Sequence, residues 1–93
     1  MMYNFEYMRI NSISDLKKIL TEIAQKEKDG KFVQIQNKND LFCTKVNSKK
    51  ILDEKKFPDF IRYYFKDLEN KDTYLLSVET YHGIGGEIKK LDE

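Results

Sequence analysis

One segment constrains the fold more than any other. Ile13, Leu16, Ile19, Leu20, Ile23 and Ala24 recur at spacings of three and four, the repeat of one face of an α-helix. Lys17, Lys18, Glu22, Gln25 and Lys26 fall off that stripe. The ends carry matching signals. Ser12 suits the N-cap, and Asp15 stands at the third helical position as a short version of the capping-box acid. Gly30 follows a last turn that holds Lys26 and Lys28, as a C-terminal glycine should. The pattern predicts a helix over 12–29.

Most of what surrounds this helix alternates with period two, the repeat of a β-strand. Tyr3–Ile10 reads as a strand, with Tyr3, Phe5, Tyr7 and Arg9 on one face. Lys31–Asn37 reads as a second. Asn37–Asp40 is a polar turn, and Leu41–Asn47 a third strand, so the two form a predicted hairpin. Ser48–Lys56 is Lys-rich and polar, with Ile51 and Leu52 as its apolar anchors, and reads as a loop or short helical turn. Thr73–Tyr81 is a strand with Tyr74, Leu76, Val78 and Thr80 on one face. Gly83–Gly86 break the pattern, and Glu87–Leu91 makes a short final strand.

The segment 57–70 reads two ways. Phe57, Phe60, Ile61, Tyr64, Phe65 and Leu68 follow a full helical stripe, and Pro58 suits a first turn. Yet Phe60–Phe65 is mostly aromatic, with poor helix propensity, and 69–72 resembles a hairpin turn. Propensity and turn tip the expectation to a strand. The sum is an α+β fold: a mostly antiparallel sheet of five to six strands with one main helix (12–29) on one face, and residues 1–93 as a single domain. One helix covers only part of such a sheet, so the other face meets solvent or a partner.

Composition narrows the function. Seventeen basic and sixteen acidic residues leave a net charge of +1, so no field of one sign draws a phosphate backbone. Only Arg9 and Arg62 are arginine, the residue best suited to bidentate phosphate or guanine contacts. Cys43 is the single cysteine, which rules out an intrachain disulfide and suits a reducing cytoplasm. No run approaches the roughly 20 apolar residues that span a bilayer, so no membrane is expected as a partner.

Specific chemistry is sparse, and no cofactor is expected. Tyr81-His82-Gly83-Ile84-Gly85-Gly86 offers glycines after a strand, able to present N–H groups to an anion, with His82 as acid, base or ligand. It matches neither a phosphate loop nor a dinucleotide fingerprint, and a tight turn or bulge accounts for it. His82 is the one histidine and has no H-x-H or C-x-x-C companion, so no metal site and no catalytic set is assigned. Cys43, read as mid-strand, is a small hydrophobe before it is a nucleophile. Lys49, Lys50, Lys55 and Lys56 form a basic cluster interrupted by Asp53 and Glu54.

Tyrosine is the richer signal. Strand alternation cannot bury all six of Tyr3, Tyr7, Tyr63, Tyr64, Tyr74 and Tyr81, and exposed tyrosines anchor protein interfaces. The candidate partner-binding residues are therefore Tyr63, Tyr64, Tyr74, Tyr81, His82 and Arg62. The function expected first is a small cytoplasmic protein-binding inhibitor that occludes a partner's surface, as bacterial toxin-neutralising immunity proteins and phage-encoded inhibitors do. Ile13-Ser14-Asp15-Leu16 resembles the start of the first helix of barstar-type inhibitors, and the likeness stops within that helix. The alternatives are a nucleic-acid-binding module using strand aromatics with the 49–56 lysines, and a small enzyme centred on His82 with Glu79 or Cys43. Homodimerisation is compatible with each.

Overall fold

The computed structural model describes residues 5–81 and 83–91. The chain runs β1 (Tyr7–Ile10), α1 (Ile13–Lys28), β2 (Phe32–Ile35), α2 (Ser48–Glu54), β3 (Phe60–Asp67), β4 (Thr73–Glu79) and β5 (Gly85–Leu91). The strands form one five-stranded sheet in the order β1-β5-β4-β3-β2, and every pair is antiparallel. This is the α+β arrangement expected from the sequence, with α1 packed on one face.

The helix ends follow from their residues. The Ser12 side chain accepts the Asp15 N–H at 3.1 Å. Asp15 in turn accepts the Asn11 N–H at 3.1 Å, one residue before the cap. At the other end Gly30 takes φ +75 behind the Asp29 cap. The Gly30 N–H then bonds to the Glu27 carbonyl and the Lys31 N–H to the Lys26 carbonyl, the paired closure of a Schellman motif.

Strand parity divides the molecule in two. Ile61, Tyr63 and Phe65 on β3 stand opposite Val78, Leu76 and Tyr74 on β4. With Ile88, Ile10 and Phe32 they form the buried face against Leu16, Ile19, Leu20 and Ile23 of α1 and Ile51 of α2. Burying this many large apolar side chains, each worth about 1.5–3 kcal/mol, is the main favourable term in folding. Phe5 precedes β1 and breaks its alternation. It is buried while Tyr7 is exposed, and its ring packs at 5.8 Å from Phe32 and 6.3 Å from Tyr74.

Within 57–70 the residues Phe60–Asp67 form strand β3, as propensity and turn favoured. The turn that follows is tied by Asp67 Oδ1, which accepts the Glu69 and Asn70 N–H groups. The hairpin of 31–37 with 41–47 is corrected: β2 pairs with β3, and no strand forms over 41–47. That segment belongs to a loop, 36–47, that follows the β3 edge beyond the end of β2. Thr44 makes two bonds there, donating its N–H to the Arg62 carbonyl and accepting the Arg62 N–H on its hydroxyl. Side-chain clasps thus replace a ladder. The loop leads into α2, whose Ser48 N–H bonds to Gln34 Oε1 on the helix-covered face. The final strand begins at Gly85, two residues before the expected start.

Candidate functional site

The face of the sheet away from α1 carries the other strand parity. Its cross-strand rows read Phe60–Glu79–Gly85 and Arg62–Ser77–Glu87–Arg9. Above these rows lies an open groove of about 630 Å³, bounded by Phe42 from the loop and Phe60 from β3. Arg62, Ser77, Glu79 and Glu87 supply its polar lining. Gly85 keeps the floor low, since the space where its side chain would project is empty to 4 Å.

The loop side of the groove is braced by Asp40. Its carboxylate accepts hydrogen bonds from Arg62 Nε and the Tyr64 hydroxyl, and its second oxygen accepts the Phe42 N–H at 2.9 Å. The Tyr64 hydroxyl first, and the Arg62 guanidinium with it, hold this carboxyl down to a pKa of about 2. Asp40 in turn raises the Arg62 pKa through its hydrogen bond. Tyr64 is raised by burial first and by Asp40 second. The brace therefore stays ionised across ordinary pH and fixes the residues beside it. Those residues are the most solvent-exposed large hydrophobics of the molecule among the described residues: Leu41 is 87% exposed and Phe42 83% exposed. Phe60, across the groove, is 66% exposed. On the far side of the sheet the Tyr63 hydroxyl donates to the Val46 carbonyl and pins the end of the same loop.

The expected partner-binding residues are dispersed. Tyr63, Tyr64 and Tyr74 are buried, so their rings form no part of the exposed surface. Tyr63 and Tyr74 have core parity, and the loop's Asp40 brace lies over Tyr64. Arg62 lines the groove, with its guanidinium also 3.4 Å from Ser77 Oγ. Tyr81 is exposed, in an isolated bridge to Gly83. His82, and Tyr3 with it, lie outside the described residues. Gly83 takes φ +106, the left-handed conformation that a turn glycine serves. Cys43 sits half-buried in the loop, where mid-strand placement was expected.

Sequence reasoning missed Phe42 and did not place Phe60 among the partner-binding candidates. For Phe60 the signal was present: read as strand, it shares parity with Arg62 and Lys66, the face that holds the charges. The coincident helical spacing of 57, 60, 61, 64, 65 and 68 drew it into an apolar stripe instead. Phe42 carries no local signal, because its exposure depends on where Asp40 docks.

The 49–56 lysines lie elsewhere. All four are exposed on or just after α2, which packs through Ile51 on the helix-covered face. The helix that carries Lys49 and Lys50 thus packs on the face away from the groove, and Lys55 and Lys56 follow its end. Among the described residues no group of three or more His, Cys, Asp or Glu is placed to hold a metal ion, and no helix is long and apolar enough to cross a membrane. No family model matches the chain, and neither a curated protein nor a solved structure matches it.

Proposed function

We propose that this protein works in the cytoplasm by binding another protein through the outer face of its sheet, occluding the partner's surface in the manner of an immunity protein or a phage-encoded inhibitor. The observation that carries the proposal is the braced apolar tip. Leu41 and Phe42 project into solvent beside a groove, on a loop held by Asp40, Thr44 and Tyr63. Exposing two large apolar side chains serves no folding purpose. Holding them still lowers the ordering cost of association, which is how a small interface gains affinity.

The nucleic-acid reading has less support. A surface for single strands combines stacking rings with a basic track. Here the helix that carries Lys49 and Lys50 packs on the other face of the sheet, and no lysine lines the groove.

The test is capture from extracts of the source organism with the tagged full chain and a Leu41→Asp/Phe42→Asp variant. Both substitutions lie in exposed positions, and the variant's thermal melt checks that the fold is retained. The expected result is a stoichiometric protein held by the parent chain and lost by the variant. Absence of any stoichiometric protein, or one held equally by both, overturns the proposal.

A further inference from the structure

The sheet ends in two edges, β1 and β2. Along β2 the hydrogen-bond parity is fixed by Leu68, which donates its N–H to the Lys31 carbonyl at 2.8 Å. The pairs Val33–Lys66 and Ile35–Tyr64, two and four residues along, therefore exchange the bonds between β2 and β3. Arg62 agrees, since its N–H and carbonyl, on that same edge of β3, both go to Thr44. Phe32 and Gln34 thus turn their backbone N–H and C=O groups away from the sheet. Among the described residues nothing is bonded to these groups.

Such a row is a template for another strand unless the chain blunts it. The β1 edge is blunted: Arg9 stands within it, and the Glu6–Lys90 ion pair, at 3.6 Å, lies beside its start. The β2 edge is not. Residues 32–37 carry no charge, no proline and no glycine, and Phe32, Val33 and Ile35 favour an extended chain. Val33 is also 40% exposed at this edge, on the outer face.

The spacing of the outward groups suits a second copy of this chain. A two-fold axis through Val33, normal to the sheet, sets Phe32 of each copy opposite Gln34 of the other. Both pairs exchange two hydrogen bonds with β2 as it stands. The two Val33 side chains then meet as a β-branched pair on the outer face. Charge does not oppose this. The chain carries a net charge of only +1. In that register the Lys31 positions of the two copies, and likewise the Lys66 positions, stand about 14 Å apart, beyond a Debye length of ~8 Å. A foreign strand must happen to bring an uncharged edge, whereas every copy of this chain brings one.

We infer that the chain pairs with a second copy of itself through antiparallel contact of the two β2 strands. The two five-stranded sheets become one continuous sheet, with both helix layers on the same side. The contact is short. It buries less than the roughly 800 Å² per partner of a stable interface, so the dimer is weak, with a Kd on the order of 100 µM. The groove floor rests on β3, β4 and β5, away from the contact, and stays open in the pair. The inference therefore stands or falls independently of the protein-binding reading.

The test is sedimentation equilibrium with amide NMR on the full chain, from about 20 µM to about 1 mM, a range that brackets the expected Kd. The mass should rise towards that of a dimer, and the Phe32 and Gln34 amides should shift with concentration. Val33→Lys and Val33→Glu each set like charges face to face across the axis and should weaken association about fivefold. Mixing the two variants in equal amounts should restore it, because opposite charges then meet. Val33 is an exposed position, and a thermal melt of each variant checks that the fold is kept. A chain still monomeric at the top of the range overturns the inference. So does association that ignores both substitutions, or that fails to recover on mixing. Shifts confined to Phe42, Phe60 and Gly85 overturn it too, since they place the contact on the groove.

Discussion

Gly86 shows how tightly a single position can be specified. A Cβ added there would lie 2.3 Å from the Ser77 carbonyl oxygen and 2.7 Å from the Val78 Cα, both backbone atoms of β4. Neither can step aside without breaking the β4–β5 ladder. Gly86→Ala is expected to lower the unfolding free energy by about 2 kcal/mol or more. Gly85→Ala, one residue earlier in open space, should stay within about 0.5 kcal/mol of the parent. Urea denaturation of the two variants side by side checks the contrast. Nothing in the composition of the run Gly83–Gly86 distinguishes these two glycines. The reason lies in the neighbouring strand, and a linear reading sees only that glycines cluster.

At the scale of elements, the loop 36–47 is where the structure departs furthest from its sequence. Leu41–Asn47 has the aromatic and β-branched residues of a strand, and the turn before it forms as expected, with Asn37 Oδ1 accepting the Asn39 N–H. What local pattern cannot show is the partner edge. Asp40 finds Arg62 and Tyr64, more than twenty residues away, and their clasp holds the segment as a loop. By contrast α1, whose period, caps and closing glycine are all local, was legible nearly to the residue. Asp40→Asn should therefore release the loop without melting the sheet. Amide exchange at Phe42 and Thr44 should accelerate, and stability should fall by about 1–3 kcal/mol. Acid should act alike. The Asp40 carboxyl ionises near pH 4 in the unfolded chain and near 2 in the fold, so its contribution is whole above pH 4 and disappears as pH falls towards 2. The Asn variant should lose that part of the acid dependence.

For the whole molecule, the buried tyrosines set a limit at the alkaline end. Burial pushes Tyr63 up to about 12, and raises Tyr64 and Tyr74 as well. An unfolded tyrosine ionises near pH 10, so the unfolded chain releases these protons first. Their stabilising effect is complete below pH 10 and fades as pH rises through 12. Thermal unfolding followed by circular dichroism at pH 8, 10 and 12 should show the midpoint dropping across that interval. Tyr63→Phe should soften the drop, while costing about 1 kcal/mol at neutral pH for its bond to the Val46 carbonyl. The strands that bury Tyr63 and Tyr74 turn Phe60, Arg62, Ser77 and Glu79, their alternate residues, to the groove. Odd and even positions thus answer to different demands, one to cohesion and one to the outside world. Substitutions at Phe42, Phe60, Glu79 or Gly85 therefore reshape the outer surface while the interior stays as it is.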